Sequence, residues 1–450
     1  MIYHNYMPEA LISNTENQEI ESLDPLLDRE IIAAILKVNS RCNIRCYPTN
    51  EAVVDDHGAV SEKTGTDCYM YKEDTTYRTA EKQMTLQTVD RIGQRLGEDA
   101  ERRQSHRKVV IFHGGEPLLA PPEFFSEAIA KLGSYLPEYT ELVTTIETNG
   151  TLLTSEHLEV FREANTRVGI SLDGDRDANK GRVYANGRET FDEVMAAVEL
   201  INQPRYRHLF GGCLAVLNLE ADPLQTYDFF KRLLVPDNLP RANRKNPSLD
   251  FLMPLGGWGD DSPYESEVQR LSRPYATWMA PIHKRWLERD RGLLRLRSTQ
   301  TILNKIQRIQ DNHDAFGGDG RSQVVINTNG TYALTDTMLY GGDGVTSLAA
   351  SVYSHSFERA EAIMARRLTK LGAAVVPKIC REVCPKETSE ICGGGNIPNR
   401  EYQGSYDNPS SLCGDLSRTI ADVRGYAVAY TYAKRHDDAV EPFLVNIAKT

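Results

Sequence analysis

From Ile31 onward, short aliphatic and β-branched runs alternate with longer amphipathic stretches, and no other feature of the sequence restricts the fold as much. The runs are IIAAILKV, KVVIFHGG, LVTTIETNG, RVGISLDG, GGCLAVLN and LDFLMPLGG. Helix-length stretches between consecutive strands predict repeated βα units around a parallel sheet, here with six strands. Phe125, Ile129 and Leu132 follow a Pro-Pro start at helical spacing. Val194, Val198 and Ile201 follow Thr190-x-x-Glu193, the pattern of a capping box, at the same spacing. Both stretches read as helices covering the sheet. Four of the runs end in glycine turns, HGGE, ETNG, SLDG and PLGG. In parallel α/β architectures ligands gather at the C-terminal ends of strands, so the shared mouth of these loops is the expected active site.

The remaining segments are distinct in character. Residues 1–30 are polar and acidic and read as an N-terminal arm, ahead of an α/β unit over 31–260. The next segment, 261–370, holds a helical stretch with Trp278 and Trp286, the Gly/Asp stretch FGGDGRS, and VVINTNGTYALTDT, whose Asn-Gly predicts a β-hairpin. Residues 371–450 are loop-rich until a helix expected from Leu416 to about Arg435.

Charge and composition narrow the function. A net charge of −11 over 450 residues argues against broad nucleic-acid binding, which requires a basic surface to displace counterions. No run approaches a membrane span and the N-terminus lacks a signal-peptide pattern, so a cytoplasmic protein without membrane contact is expected. Eight cysteines are too few for a disulfide scaffold and read as metal or redox chemistry. Seven of them fall into two groups: Cys42, Cys46 and Cys68 near the start, and Cys380, Cys384, Cys392 and Cys413 near the end. Cys213, inside GGCLAVLN, reads as a buried small hydrophobe.

CNIRC directly after the first predicted strand resembles the opening of the radical S-adenosylmethionine (SAM) signature, C-x3-C-x2-C. Thr49 stands where that signature has its third cysteine, whereas Cys68-Tyr69-Met70-Tyr71 resembles its usual ending. Residues 47–67 then read as an insertion within the cluster loop, giving C-x3-C-x21-C; closure entropy rises only slowly with loop length. His113-Gly114-Gly115-Glu116-Pro117 resembles the GGEP motif of the same family, and Glu147-Thr148-Asn149-Gly150 and Ser171-Leu172-Asp173-Gly174 resemble its TNG and SLDG turns. The resemblance implies a partial (β/α)6 TIM barrel in which Cys42, Cys46 and Cys68 hold a [4Fe-4S] cluster. It assigns SAM binding to Tyr69, Gly114, Gly115, Glu116, Asn149, Ser171, Asp173 and Arg182. In that assignment GGEP receives the SAM amino group, Ser171 and Asp173 face its ribose or methionine part, and Arg182 meets its carboxylate. His113 could line the pocket or serve as a wall residue.

The second group, Cys380-x3-Cys384-x7-Cys392-x20-Cys413, suits either an all-thiolate zinc site or a four-thiolate iron–sulfur site by spacing alone. CGGG, Arg400-Glu401-Tyr402 and YDNPSSLC resemble SPASM domains, the C-terminal extensions of peptide-modifying radical SAM enzymes. Such domains carry two auxiliary clusters. Here Thr335 and Asn396 occupy positions that are usually cysteine, which implies one auxiliary [4Fe-4S] cluster on the four remaining thiols.

The family reading implies an enzyme that uses a 5′-deoxyadenosyl radical to take hydrogen from a ribosomally made precursor peptide and install a crosslink, of the C–C cyclophane or thioether type. It also implies Asp336, after the hairpin, as the base. An external electron donor such as flavodoxin or ferredoxin is expected, and the leader is read either by a separate recognition protein or by the barrel itself. Peptide epimerisation or oxidation, sulfatase-type maturation, and a non-catalytic peptide-binding barrel with structural zinc are the alternatives.

Overall fold

The computed structural model describes residues 33–47, 68–236, 247–258, 273–318 and 323–436. The N-terminal arm, Thr49 and nearly all of the insertion at 47–67 lie outside the described residues. The strands in chain order are β1 (Ala33–Asn39), β2 (Ile44–Cys46), β3 (Arg107–Gly114), β4 (Glu141–Thr148), β5 (Arg167–Ser171), β6 (Arg182–Tyr184), β7 (Phe210–Val216), β8 (Ser248–Leu252), β9 (Arg295–Leu296), β10 (Gln323–Ile326), β11 (Thr331–Ala333) and β12 (Ser347–Ser351).

Ten of these strands form one sheet in the order β12-β11-β10-β1-β3-β4-β5-β7-β8-β9. The six strands expected from sequence are β1, β3, β4, β5, β7 and β8, and they pair in parallel in that order. The hairpin is present too, but its first strand does more than turn back on its partner. β10 pairs in parallel with β1, and β11 and β12 extend the sheet antiparallel beyond it.

Alternation along the strands decides what faces where. Leu36, Phe112, Ile146 and Ile170 point outward under the helices and are completely buried. The residues between them, Lys37, His113, Glu147 and Gly169, lie on the opposite, lumen-facing side of the sheet. Strand register brings these four to one level: Lys37 pairs with His113, Glu147 with Gly169, and Phe112 with Ile146.

The covering helices form for local reasons. Leu86–Arg103 starts where the Thr85 hydroxyl accepts from Thr88 N at 3.1 Å, buries Val89, Ile92 and Leu96, and stops at left-handed Gln104. Pro122–Ser134 buries Phe125 between Phe112 and Phe161, with ring centroids 5.4 Å away on both sides. Burying one such ring contributes about 1.5–3 kcal/mol. Phe191–Ile201 is the second predicted helix, but no capping box forms. The Thr190 hydroxyl donates to Arg182 O at 2.9 Å, and Glu193 pairs instead with Arg188. A longer-range partner has replaced the local cap. The terminal helix runs Cys413–His436, and no helix among the described residues is long and apolar enough to cross a membrane.

Candidate active site at the strand ends

The cysteine loop and the GGEP turn are joined backbone to backbone. Gly115 N donates to Asn39 O at 2.8 Å, and Glu116 N donates to Arg41 O at 2.9 Å. A Cβ on Gly115 would lie 2.3 Å from Arg41 O and 1.9 Å from the Tyr71 hydroxyl, and one on Gly114, at φ +129°, would lie 2.3 Å from Asn39 O. These glycines therefore let the end of β3 approach the cysteine loop itself. Residues of the Cys68 turn close the assembly: Tyr71 N donates to Cys68 O at 2.9 Å, and the Tyr71 hydroxyl donates to Ser40 O at 3.3 Å.

Cys68 is thereby brought to Cys42 and Cys46, across the long insertion. Burial raises the Cys42 thiol, and the charges of Glu116, Cys46 and Cys68 raise it further against a backbone hydrogen bond at Ile44. Cys68 is pushed up to about 12 by burial and then by Cys46, against a backbone hydrogen bond at Met70. No disulfide links any of the cysteines. Antiparallel pairing of β2 with β6 sets Cys46 opposite Arg182, whose Nη1 stands 4.0 Å from Cys46 Sγ, while Asn149 Nδ2 stands 3.7 Å from Cys42 Sγ. Among the described residues no three His, Cys, Asp or Glu side chains are arranged to hold a single metal ion. Three mutually coupled thiols, approached by N–H donors, nevertheless match the donor chemistry of a thiolate-held iron–sulfur cluster.

Glu116 is 0% exposed and joins two turns. Its Oε1 accepts from Leu118 N and the Thr148 hydroxyl at 2.9 and 2.7 Å, and its Oε2 accepts from Asn149 N at 2.8 Å. Burial pushes its carboxyl up to about 7 in spite of these donors. Asp173 grips Arg182 with both oxygens, at 2.6 and 2.9 Å, and also accepts from Val216 N at 2.9 Å. Burial opposes the Arg182 charge, but Asp173 and then the Cys46 and Cys68 thiols outweigh it and keep the guanidinium firmly protonated. Ser171 ends β5 beside this pair. The fourth glycine turn, PLGG, also docks the C-terminal cysteine region onto the barrel: Asn399 Nδ2 donates to Pro254 O and Gly256 O at 3.1 and 3.0 Å.

Below the thiols lies a charged lumen. Asp336 opens a 3-10 turn after β11 and is buried, with Lys37 Nζ 2.8 Å from Oδ1 and His113 Nδ1 3.7 Å from Oδ2. Burial holds His113 toward its neutral form, against the pull of Asp336. Burial and then the Asp336 charge raise the Tyr69 phenol well above its ordinary value. Glu147 packs against β5 so closely that a Cβ on Gly169 would lie 2.2 Å from its Oε2, an oxygen with no hydrogen-bond partner among the described residues. Burial pushes the Glu147 carboxyl up to about 7, with Arg297 opposing. Sequence reading missed Lys37 and Glu147; the available signal was a charge inside each apolar run, in phase with the lumen. Cys213 is a core residue, 2% exposed.

The second cysteine group also assembles. Burial and the Cys413 charge raise Cys380 to about 11 and Cys392 to about 12, and the same two causes raise Cys384. Four thiols coupled through Cys413 match the donor set of a four-thiolate cluster.

Residues 68–229 match the model of the Radical SAM superfamily. An uncharacterized protein of Synechocystis sp. is 30% identical over 339 residues, 70% of this chain and 77% of that protein. The chain belongs to the radical SAM superfamily. Enzymes of this superfamily bind SAM and a [4Fe-4S] cluster, which fits the thiol trio at the strand ends. A serine-type anaerobic sulfatase-maturating enzyme of Bacteroides thetaiotaomicron is 31% identical over 180 residues, 39% of this chain and 42% of that enzyme. A cysteine-type enzyme of Clostridium novyi is 31% identical over 152 residues, 33% of this chain and 39% of that enzyme. The chain thus aligns with about two fifths of the length of these maturases. In fold it is similar to native anSMEcpe with bound AdoMet, at a TM-score of 0.64 and 17% identity, covering 93% of this chain and 99% of that one.

Proposed function

We propose that this radical SAM enzyme matures a ribosomally made precursor peptide by installing a crosslink, with Asp336 as the base. The observation that carries this reading is the stacking of three coupled thiols at the strand ends above a buried Asp336–Lys37 pair in the lumen. Cys42, Cys46 and Cys68 would hold the first cluster, and Cys380, Cys384, Cys392 and Cys413 an auxiliary one. When bound, the reduced cluster and SAM supply a 5′-deoxyadenosyl radical that takes hydrogen from an unactivated C–H bond.

The chain's own residues bind, orient and move the proton. Gly114, Gly115, Glu116 and Asn149 fix the turns against which SAM lies, and Arg182, oriented by Asp173, meets its carboxylate; Ser171 and Tyr69 complete the wall. Asp336, kept in place by Lys37, accepts the proton that the peptide releases after hydrogen loss, and the electron released with it would pass to the auxiliary cluster that the four C-terminal thiols would hold. The lumen excludes bulk water from the radical. An external flavodoxin or ferredoxin supplies electrons, and the leader is read by a separate protein or by the barrel.

Oxidation of a peptide seryl or cysteinyl residue, as in sulfatase maturation, is the second reading, favoured by the curated relatives. Thr335 and Asn396, where a full auxiliary set has cysteine, favour the crosslink. Co-expression with a short precursor gene adjoining this one, followed by tandem mass spectrometry, separates the two. A crosslink removes two hydrogens and suppresses fragmentation between the joined residues. An aldehyde fragments normally and reacts with a hydrazine.

A further inference from the structure

Arg400, at the end of the turn Ile397–Arg400, is 2% exposed and lies against the glycine run that follows Cys392. Its Nε donates to Gly394 O at 3.0 Å, its Nη2 to Gly393 O and Gly395 O at 2.8 and 2.9 Å, and its Nη1 to Val375 O at 3.2 Å. Gly393, Gly394 and Gly395 have φ of +60°, +86° and +75°, a left-handed run that side-chain-bearing residues rarely adopt. This explains CGGG physically: three carbonyls turn inward onto one guanidinium. No carboxylate among the described residues forms a direct ion pair with Arg400; the thiols of Cys392 and Cys380 act on its charge first, and Asp407 acts more weakly. A buried guanidinium whose hydrogen bonds all go to carbonyls, with a carboxylate only at longer range, is costly unless a further anion stands nearby.

The first cysteine group differs in this respect. Arg182 beside Cys46 is already neutralised by both oxygens of Asp173. Among the described residues, one thiol site therefore has a cation in a direct, two-oxygen ion pair and the other has a cation without one.

We propose that Arg400 is the built-in counter-charge of the auxiliary cluster, raising its reduction potential relative to the SAM-cleaving cluster so that it serves as the electron-accepting site. This rests on the reading that Cys380, Cys384, Cys392 and Cys413 ligate that cluster. Reduction adds one electron to the cluster, and a fixed positive charge in a poorly screened interior stabilises the more negative state. Arg400 is a positioning residue, since it acts through the cluster.

The test is an EPR-monitored redox titration of the full chain, reconstituted anaerobically, with Cys42, Cys46 and Cys68 replaced by alanine so that only the auxiliary site can signal. Arg400→Gln should lower the midpoint by tenfold or more in the reduced-to-oxidised ratio, about 59 mV for one electron. Arg400→Lys keeps the charge, loses the fork, and should stay near the parent midpoint. An Arg400→Gln protein with full iron and the parent midpoint overturns the proposal, as does an Arg400→Lys protein that shifts as far as a loaded Arg400→Gln. If Arg400→Gln does not load, Arg400→Lys decides alone: the parent midpoint supports the proposal and a tenfold fall overturns it. A parent that holds no iron overturns the ligand reading itself, a result distinct from an unshifted midpoint.

Discussion

Lys37 Nζ lies 2.8 Å from Asp336 Oδ1, and the two side chains are only 10% and 8% exposed. They are far apart in the chain and meet because β10 pairs with β1, which carries the turn after β11 to the lumen wall. Removing one member of a buried pair leaves the other charge without compensation, which costs about 3–5 kcal/mol. Lys37→Met should therefore destabilise the protein by about that much in chemical denaturation and reduce peptide turnover at least ~10-fold. Adding Asp336→Asn should restore most of the stability and none of the turnover. Unchanged stability in Lys37→Met would mean that the pair contributes nothing.

The Gly115 position tests how the cysteine loop is held. An added methyl meets Arg41 O at 2.3 Å, which is backbone and cannot move aside as a side-chain tip can. Gly115→Ala should push the cysteine loop off the end of β3. Iron bound at the first site should fall while the auxiliary site stays loaded, as read by iron content and EPR. A fully loaded Gly115→Ala protein would contradict the close approach.

Glu147 gives the fold a pH dependence of known sign. Its folded carboxyl is raised from the ordinary 4.5 to about 7 by burial, so the folded state binds the proton more tightly than the unfolded chain does. Stability from this group is complete below about 4.5 and is lost as pH rises through about 7. The loss is roughly 3 kcal/mol, because each tenfold difference in proton affinity between the folded and unfolded chain is worth about 1.4 kcal/mol. The unfolding free energy of the native protein minus that of Glu147→Gln should therefore fall by about this amount between about pH 4 and 8. A flat difference would show that the carboxyl is solvated.

The strand order and the glycine turns were legible because both depend on local pattern. Apolar runs such as KVVIFHGG declare strands, and HGGE or SLDG declare their ends. Where partners outside the local motif decide, the sequence was silent. Nothing near VVINTNG reveals that its first strand will join β1, and Thr190-x-x-Glu193 reads as a cap until Arg182 O and Arg188 claim the two side chains. The candidate site divides in the same way. The cysteines, Glu116, Asp173 and Asp336 stand out by motif, whereas Lys37 and Glu147 acquire meaning only from what the fold sets beside them, and Arg400, though part of a motif, shows its hydrogen bonds to the glycine carbonyls only there.

Radical chemistry at the strand ends depends on Cys68 as the third thiol of the first site, closing a loop of 21 intervening residues from Cys46. The direct measurement is iron content and anaerobic SAM cleavage in the Cys68→Ala protein, with the native chain alongside. The native chain should hold about eight irons, as two four-iron clusters, and release 5′-deoxyadenosine, whereas Cys68→Ala should hold about four and release none. A Cys68→Ala protein that keeps about eight irons and still cleaves SAM would contradict this role for Cys68.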